Sequence, residues 1–171
     1  MASPWIWSGH ARGVFITVAG AGGAELPSDG STYANLLAAI GKAGGAHVPV
    51  RMQSYQSAFF LLSGTVTVAT DAQVDIVLAA VEAALRASFS FAARSFGQPV
   101  DLSEVVAVMQ AVSGVVAIDL DELRRTDGVG GDGLAGPLPA ALPRVADDGS
   151  LLAAELLVLD PRPVDLRGVL P

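Results

Sequence analysis

The sequence contains no cysteine, and only 16% of its 171 residues are charged. The absence of cysteine excludes disulfide bonds, thiolate metal sites and a thiol nucleophile. The charged fraction is below the roughly 25% of ordinary soluble domains, while the apolar fraction reaches 51%. Intrinsic disorder of the whole chain is therefore excluded, because disorder requires low hydrophobicity and high net charge.

A long apolar run is also missing. The longest stretch without charge, Met52 to Thr70, is interrupted by serine, threonine and glutamine. It is therefore not the run of about 20 apolar residues that a bilayer requires. The segment Met1 to Trp5 has no basic region followed by an apolar one, which argues against a secretory signal. We expect neither a signal peptide nor a transmembrane segment, and the lack of cysteine is compatible with a reducing cytoplasm.

A basic stripe is absent as well. Residues 1–100 carry five basic and five acidic side chains, whereas residues 101–171 carry five basic and twelve acidic ones, which accounts for the net charge of −7. A nucleic-acid-binding protein needs clustered lysine and arginine to displace counterions from phosphates. Neither nucleic acid nor a membrane is an expected partner.

Motifs for catalysis and cofactor binding are incomplete. The glycine-rich segment 18–25 follows a predicted strand, but Glu25 occupies the third glycine position of a dinucleotide-binding turn. Segment 127–133 lacks the distal glutamate of a calcium loop. His10 and His47 have no second ligand at a metal-binding spacing. We predict a protein that is not an enzyme, with no catalytic residues, no cofactor, no metal and no small-molecule substrate.

One acidic group comprises Asp119, Asp121 and Glu122. Clustered carboxylates can act as general acid and base or bind Mg²⁺. Strand alternation, however, places Asp119 and Asp121 on the face opposite Ile118 and Leu120. We therefore interpret these carboxylates as a solvated strand end.

Periodicity predicts a mixed order of strands and helices. The predicted strands are Gly13–Val18, Val48–Tyr55, Phe59–Ala69, Val115–Leu120 and Glu155–Leu159. Three helices are predicted. The first runs from Ser31 or Thr32 to about Ala43, the second is opened by a Thr70/Gln73 capping box, and the third is opened by Asp101 and Glu104. The short linker 56–58 predicts that the second and third strands form a hairpin.

This order predicts an α+β fold, a ferredoxin-like split β-α-β sandwich with an extra helix and a long Gly/Pro-rich loop. Helices would cover one sheet face and leave the other to water or a partner. The predicted organisation is an N-terminal extension (1–12), an α+β core domain (13–123), a Gly/Pro-rich loop (124–150), flexible or ordered by a partner, and a C-terminal strand and tail (151–171).

Exposed apolar side chains are the candidates for a partner interface. Trp5 and Trp7 fall on one face of a near-terminal segment, where they either cap the core edge or anchor a neighbouring subunit. Phe59 and Leu61 fall on the outer face of a predicted strand and are further interface candidates. The excess of apolar residues favours a buried subunit interface, so the isolated chain is expected to self-associate.

Phe96, Gly97 and Gln98 precede Pro99 and predict a turn between two helices. We expect Phe96 to be buried and Gly97 to adopt a positive φ. We interpret the turn as a determinant of the fold rather than as a binding site.

Most of the chain resembles the baseplate J-like family, the putative baseplate assembly proteins of contractile phage tails and phage-tail-like contractile injection systems. From residue 47 onward the likeness is to the C-terminal region of the family. The residues that carry it are His47–Arg51, Asp75–Phe91, Arg94–Val100 with Leu102–Val105, Val112–Val116 and Ala154–Leu159, together with Val14–Val18 and Leu36–Leu37 upstream.

The resemblance implies a non-catalytic structural assembly module, a wedge component that docks onto neighbouring baseplate subunits and onto copies of itself. It implies assembly in the cytoplasm, followed by incorporation into a phage-tail-like particle. Family members are usually several hundred residues long, so this chain resembles only a distal part of them. An alternative from the fold alone is a small-molecule-binding regulatory domain of ferredoxin-like fold.

Overall fold

The computed structural model describes residues 2–7, 11–44 and 48–171, and for residues 2–7, 11 and 12 it describes the backbone alone. The described elements are, in chain order, β1 (Ala2–Trp7), β2 (Ala11–Val18), α1 (Ser31–Ala43), β3 (Val50–Ser54), β4 (Gln56–Val68), α2 (Val74–Ser88), α3 (Leu102–Gln110), β5 (Val115–Arg125), β6 (Arg144–Val145), β7 (Leu151–Leu152), β8 (Glu155–Leu159) and β9 (Asp165–Val169). Helices and strands are mixed along the chain, which confirms the α+β class.

The chain divides into two compact units. The first unit comprises Met1–Gln56 and Ala141–Glu155, and the second comprises Ser57–Ala140 and Leu156–Pro171. The segment 13–123, expected to be one core domain, contributes to both units.

The first unit contains a three-stranded sheet in the order β1-β2-β3. Strand β1 pairs antiparallel with β2, so the segment expected to be an extension supplies an edge strand. Strands β2 and β3 are parallel, and α1 connects them as in a β-α-β unit. The hydroxyl of Tyr33 on α1 donates to the carbonyl of Met52 at 2.8 Å, which fastens the helix to β3.

The second unit contains a sheet in the order β5-β4-β8, and β9 also pairs with β4. Strand β5 is antiparallel to β4, and β9 runs parallel to β4 beside Ser63–Thr67. Gly168 on β9 faces α2, where an added Cβ would lie 2.2 Å from Cγ1 of Val74. The missing side chain therefore lets α2 approach the sheet.

The core of the second unit lies between one face of this sheet and the helices α2 and α3. Strand β4 supplies alternate side chains to it, and each helix supplies one stripe, as the 2.0 and 3.6 periods require. The fully buried members include Phe60, Val66 and Val68 from β4, Val81 and Leu85 from α2, and Val105 and Met109 from α3.

The predicted hairpin of Val48–Tyr55 and Phe59–Ala69 is wrong. The first of these strands is β3, which pairs with β2, and the second is β4, which belongs to the other sheet. Only Tyr55 separates β3 from β4. The commonest tight hairpin connections contain two residues, so this junction is too short for one.

The ferredoxin-like arrangement is not confirmed. It would place the strands of the split β-α-β motif in one sheet, whereas β2 and β3 pair in the first unit and β4 and β5 pair in the second. The alternation of apolar and polar residues predicts each of these four strands, but it does not identify the strand with which each one pairs.

The helix starts were only partly predicted. Helix α2 begins after Gln73 rather than Thr70, because residues 69–72 form a turn in which the Ala72 amide donates to the Ala69 carbonyl. Helix α3 begins after Asp101, as expected. Neither of these cap residues makes a side-chain capping hydrogen bond.

Part of the Gly/Pro-rich segment is hydrogen-bonded within the second unit. Val100 and Leu138 exchange two backbone hydrogen bonds, at 3.0 and 2.9 Å, and the Leu138 side chain is fully buried. The Gly133 amide donates to the Leu123 carbonyl at 2.7 Å. The segment 126–140 thus packs on the core of its own unit. The expected tail also contains a strand, β9, that the sequence analysis did not identify.

Candidate interaction surfaces

The second sheet has one face that neither α2 nor α3 covers. We call it the outer face and define it by the β4 side chains that alternate with the buried ones. These side chains are all half-buried, whereas Phe60, Leu62, Val66 and Val68 between them are buried. The members of the outer face on β4 are Phe59, Leu61, Ser63, Thr65 and Thr67.

The register extends this face onto both neighbouring strands. Thr65 lies opposite Asp119 on β5 and Arg167 on β9. Thr67 lies opposite Ala117 and Val169. These four flanking residues are exposed, so the open face has a charged row beside a small apolar row.

A concavity of about 240 Å³ lies at Leu61 on the outer face. Two ion pairs contribute to its lining, Arg124 with Glu122 and Arg162 with Asp160, the latter at 2.8 Å. Hydrogen bonds from the side chain and backbone of Arg162 hold the pKa of Asp160 below its ordinary value. Four of the charged residues around the concavity therefore pair with one another, and Asp165 also contributes to the lining.

The predicted interface residues divide between the two units. Trp5 and Trp7 belong to β1 of the first unit, and their side chains lie outside the described residues. Phe59 and Leu61 lie side by side in register on the outer face of the second unit. A role in partner binding stays a prediction for all four.

The turn around Gly97 has the backbone conformation expected from the sequence, with φ of +71° at Gly97. The Gln98 amide donates to the Ser95 carbonyl at 3.2 Å, and the Ser95 amide donates to Oε1 of Gln98 at 3.0 Å. Phe96 is half-buried rather than buried. Its role in determining the fold stays a prediction.

Arg94 is a structural residue that the sequence analysis did not single out. Its side chain is 1% exposed, and Nη1 donates to both carboxylate oxygens of Glu104 at 2.8 Å. Nη2 donates to the carbonyls of Gln98 and Pro99, and the guanidinium lies 5.2 Å from the centroid of the Phe89 ring. The sequence signal that could have indicated a buried arginine is its position within an aromatic-rich segment. The 101/104 spacing was instead interpreted as a capping box.

Arg125 is a second buried arginine of the same unit. Its side chain is 2% exposed and makes a two-point contact with Asp127, at 2.9 and 2.6 Å. Its Nη1 donates to the Pro139 carbonyl at 2.6 Å. The hydrogen bonds from Arg125 lower the pKa of Asp127. Arg125 thus holds both ends of the 126–140 segment to β5.

The first unit contains open clefts beside α1. Two of them, about 490 and 570 Å³, are lined in part by Tyr33 and Met52. No residue of α1 is buried, and Leu36 is 37% exposed. The apolar stripe of this helix is therefore only partly covered by its own unit.

The acidic group on β5 is solvated, as predicted for Asp119 and Asp121, and Glu122 pairs with Arg124. Across the described part of the chain, no group of three or more acidic or histidine residues could hold a metal ion. His10 and His47 lie outside the described residues.

Helices that could cross a bilayer are not found either. Among the described helices, none is both long and apolar enough for a transmembrane span.

These features define an α+β protein of two compact units with an open sheet face. Residues 2–53 match the model of the Baseplate J-like central domain, which confirms the resemblance to the baseplate J-like family. The match lies at the N-terminal end of the chain and concerns the central domain, whereas the sequence analysis assigned the likeness to the C-terminal region. A search of curated proteins finds no match.

Proposed function

We propose that this chain is a structural wedge component of the baseplate of a contractile phage tail or a phage-tail-like injection system. The observation that carries the proposal is the match of residues 2–53 to the Baseplate J-like central domain. Its partners are other baseplate subunits and further copies of the chain. It assembles in the cytoplasm and acts within the finished particle.

The outer face of the second sheet supports a docking role. Antiparallel sheets with one face packed and one face free can bury the free face against another protein. Here the free face presents Phe59 and Leu61, and Leu61 borders a concavity that could receive a side chain of a neighbour. We propose this face, with Trp5 and Trp7 of the first unit, as the contact to adjoining subunits.

The small-molecule-binding alternative is not proposed. It depended on a ferredoxin-like sandwich, and the strands lie in two separate sheets. Four of the charged residues that line the cavity on the outer face form two ion pairs with each other.

The proposal is tested by purifying tail-like particles from cells that express the chain with an affinity tag. We expect the chain to cofractionate with sheath and tube proteins and to label one end of the particle in electron micrographs. Particles that lack the chain, or a tagged chain that never leaves the unassembled fraction, would contradict the proposed role.

The docking surface is tested separately with Leu61→Arg. This change places a charge on the outer face, and we expect incorporation into particles to fall while the circular dichroism spectrum stays unchanged. Ile76→Arg is the matched control, because Ile76 is a 64% exposed side chain of the same unit on α2. Equal incorporation of both variants would exclude the outer face as the contact.

A further inference from the structure

The strand β5 forms a free edge of the second sheet. It pairs with β4 on one side. On its other side, within the described residues, only the turn at Asp132 and Gly133 reaches it, at Leu123 and Arg124. The stretch from Val115 to Glu122 therefore presents an edge to which an extended peptide can add by backbone hydrogen bonding.

Two of the three carboxylates at this edge take part in none of the described ion pairs. The second unit contains six arginines and twelve acidic residues, a net charge of −6, and five of the arginines form ion pairs with other carboxylates. Asp119 and Asp121 are exposed and belong to none of these pairs. An added strand would meet both carboxylates.

A bulge of β5 falls at one of these carboxylates, Asp121, whereas Asp119 lies opposite Thr65 of β4. The register passes from Leu120 to Glu122 opposite adjacent β4 residues, so Asp121 has no residue opposite it on β4. Val116 is skipped in the same way and is 54% exposed. Bulges of this kind redirect a side chain at a sheet edge.

The other face of the same edge is apolar. Ile118 and Leu120 pack against the core cluster but remain half-buried, as expected for side chains at a sheet edge. A strand beside β5 would therefore meet carboxylates on one face and aliphatic side chains on the other. This alternation matches a strand in which basic and apolar residues alternate.

We infer that the β5 edge, Val115–Glu122, binds an extended segment of a partner protein in which lysine or arginine alternates with apolar residues. A second copy does not fit, because antiparallel pairing of β5 with itself around Asp119 would bring like charges together. The inference deepens the proposed function and rests on it, since an assembly supplies the neighbouring chain.

The probe is a short, end-blocked peptide in which lysine and valine alternate, and a glutamate/valine peptide is its control. We expect binding of the lysine peptide alone, measured by fluorescence anisotropy. Amide hydrogen exchange should slow within Val115–Glu122 when the lysine peptide is bound. Absence of binding, or binding without protection of β5, would overturn the inference. The charges and bulges of β5 would then serve to prevent strand addition.

Charge-neutral variants distinguish specific binding at the β5 edge from non-specific attraction of the lysine peptide to an acidic protein. The double variant Asp119→Asn with Asp121→Asn should weaken the lysine peptide by about fivefold. The matched control is Asp71→Asn with Asp75→Asn, which removes two exposed carboxylates elsewhere in the unit. Equal weakening by both pairs would contradict recognition at β5. If the peptide does not bind at β5 but the chain is incorporated into particles, the inference about the β5 edge is wrong and the proposed function stands. If the peptide binds at β5 but the chain is not incorporated, the proposed function is wrong.

Discussion

Helices α1 and α2 show how one sequence pattern leads to two different degrees of burial. Both carry an apolar stripe with helical spacing, and both were predicted from it. Helix α2 buries Val77, Val81 and Leu85, whereas no residue of α1 is buried. The pattern therefore predicts a helix and its apolar face, but not how much surface covers that face.

The physical difference lies in what stands opposite each stripe. Helix α2 packs beside α3 and against β9, and its stripe belongs to the core cluster of its unit. Helix α1 packs against β3, beside open clefts. Apolar surface contributes to stability only where it is removed from water. The two helices should accordingly differ in their sensitivity to mutation.

The largest expected effect is a direct test of this contrast. Leu85→Ala on α2 should lower the free energy of unfolding by about 3 kcal/mol, because it leaves a cavity in a fully buried site. Leu37→Ala on the half-buried stripe of α1 should cost less than about 1 kcal/mol. Urea unfolding followed by circular dichroism measures both. Similar losses of unfolding free energy for the two variants would contradict the expected difference between α1 and α2.

The next largest effect is expected at the Gly97 turn, which lies between α2 and α3 of the second unit. Gly97→Val should destabilise the second unit by about 2 kcal/mol and reduce folding yield, because a β-branched residue is strained at the φ of +71°. The control Gly136→Val changes a glycine without a positive φ and with no atom within 4 Å of the added Cβ. Unchanged melting of the Gly97 variant would remove the turn as a fold determinant.

A smaller effect of opposite sign is expected on α1. Gly41 lies in the helix interior, and an added Cβ would meet no atom within 4 Å. Gly41→Ala should stabilise the helix by about 0.5–1 kcal/mol, since alanine loses less backbone entropy on folding. The stabilisation is measured as slower amide hydrogen exchange in α1. The reciprocal change Ala39→Gly, on the same exposed helix, should have the reverse effect.

The smallest expected effect is on the acid dependence of the second unit. Because Arg125 lowers the pKa of Asp127 below its ordinary value of 3.8, the pair stabilises the fold above that value. This contribution is lost as the pH falls through the lowered pKa. Unfolding midpoints measured between neutral and strongly acidic pH should fall less steeply for Asp127→Asn. Asp71→Asn is the control, and an acid dependence of Asp127→Asn identical to that of the parent would contradict the pair.

Much of the local structure could be predicted from the sequence. Helix α1 has the bounds that its stripe and the following glycines indicate, and α3 begins after Asp101. Strand β8 also has the predicted bounds. These features depend on residues a few positions apart, and side-chain period and turn chemistry report on that range.

The candidate surface was predicted only in part. Alternation placed Phe59 and Leu61 on one face of a strand, and that face is open in its unit. The flanking charges of Asp119 and Arg167 could not be foreseen, because they lie on strands far apart in sequence that meet only by pairing with β4. Strand β9 falls in the segment that its prolines led us to predict as a tail.

The sequence by itself determined the α+β class, the positions of most elements, the positive φ at Gly97 and the likeness to baseplate J-like proteins. The tertiary structure alone decided that β3 pairs with β2, that β9 joins β4, and that Arg94 and Arg125 are buried against carboxylates and carbonyls. The reason is that hydrophobic period is a local property, whereas strand pairing and burial of a charge depend on hydrogen-bond partners brought from distant parts of the chain.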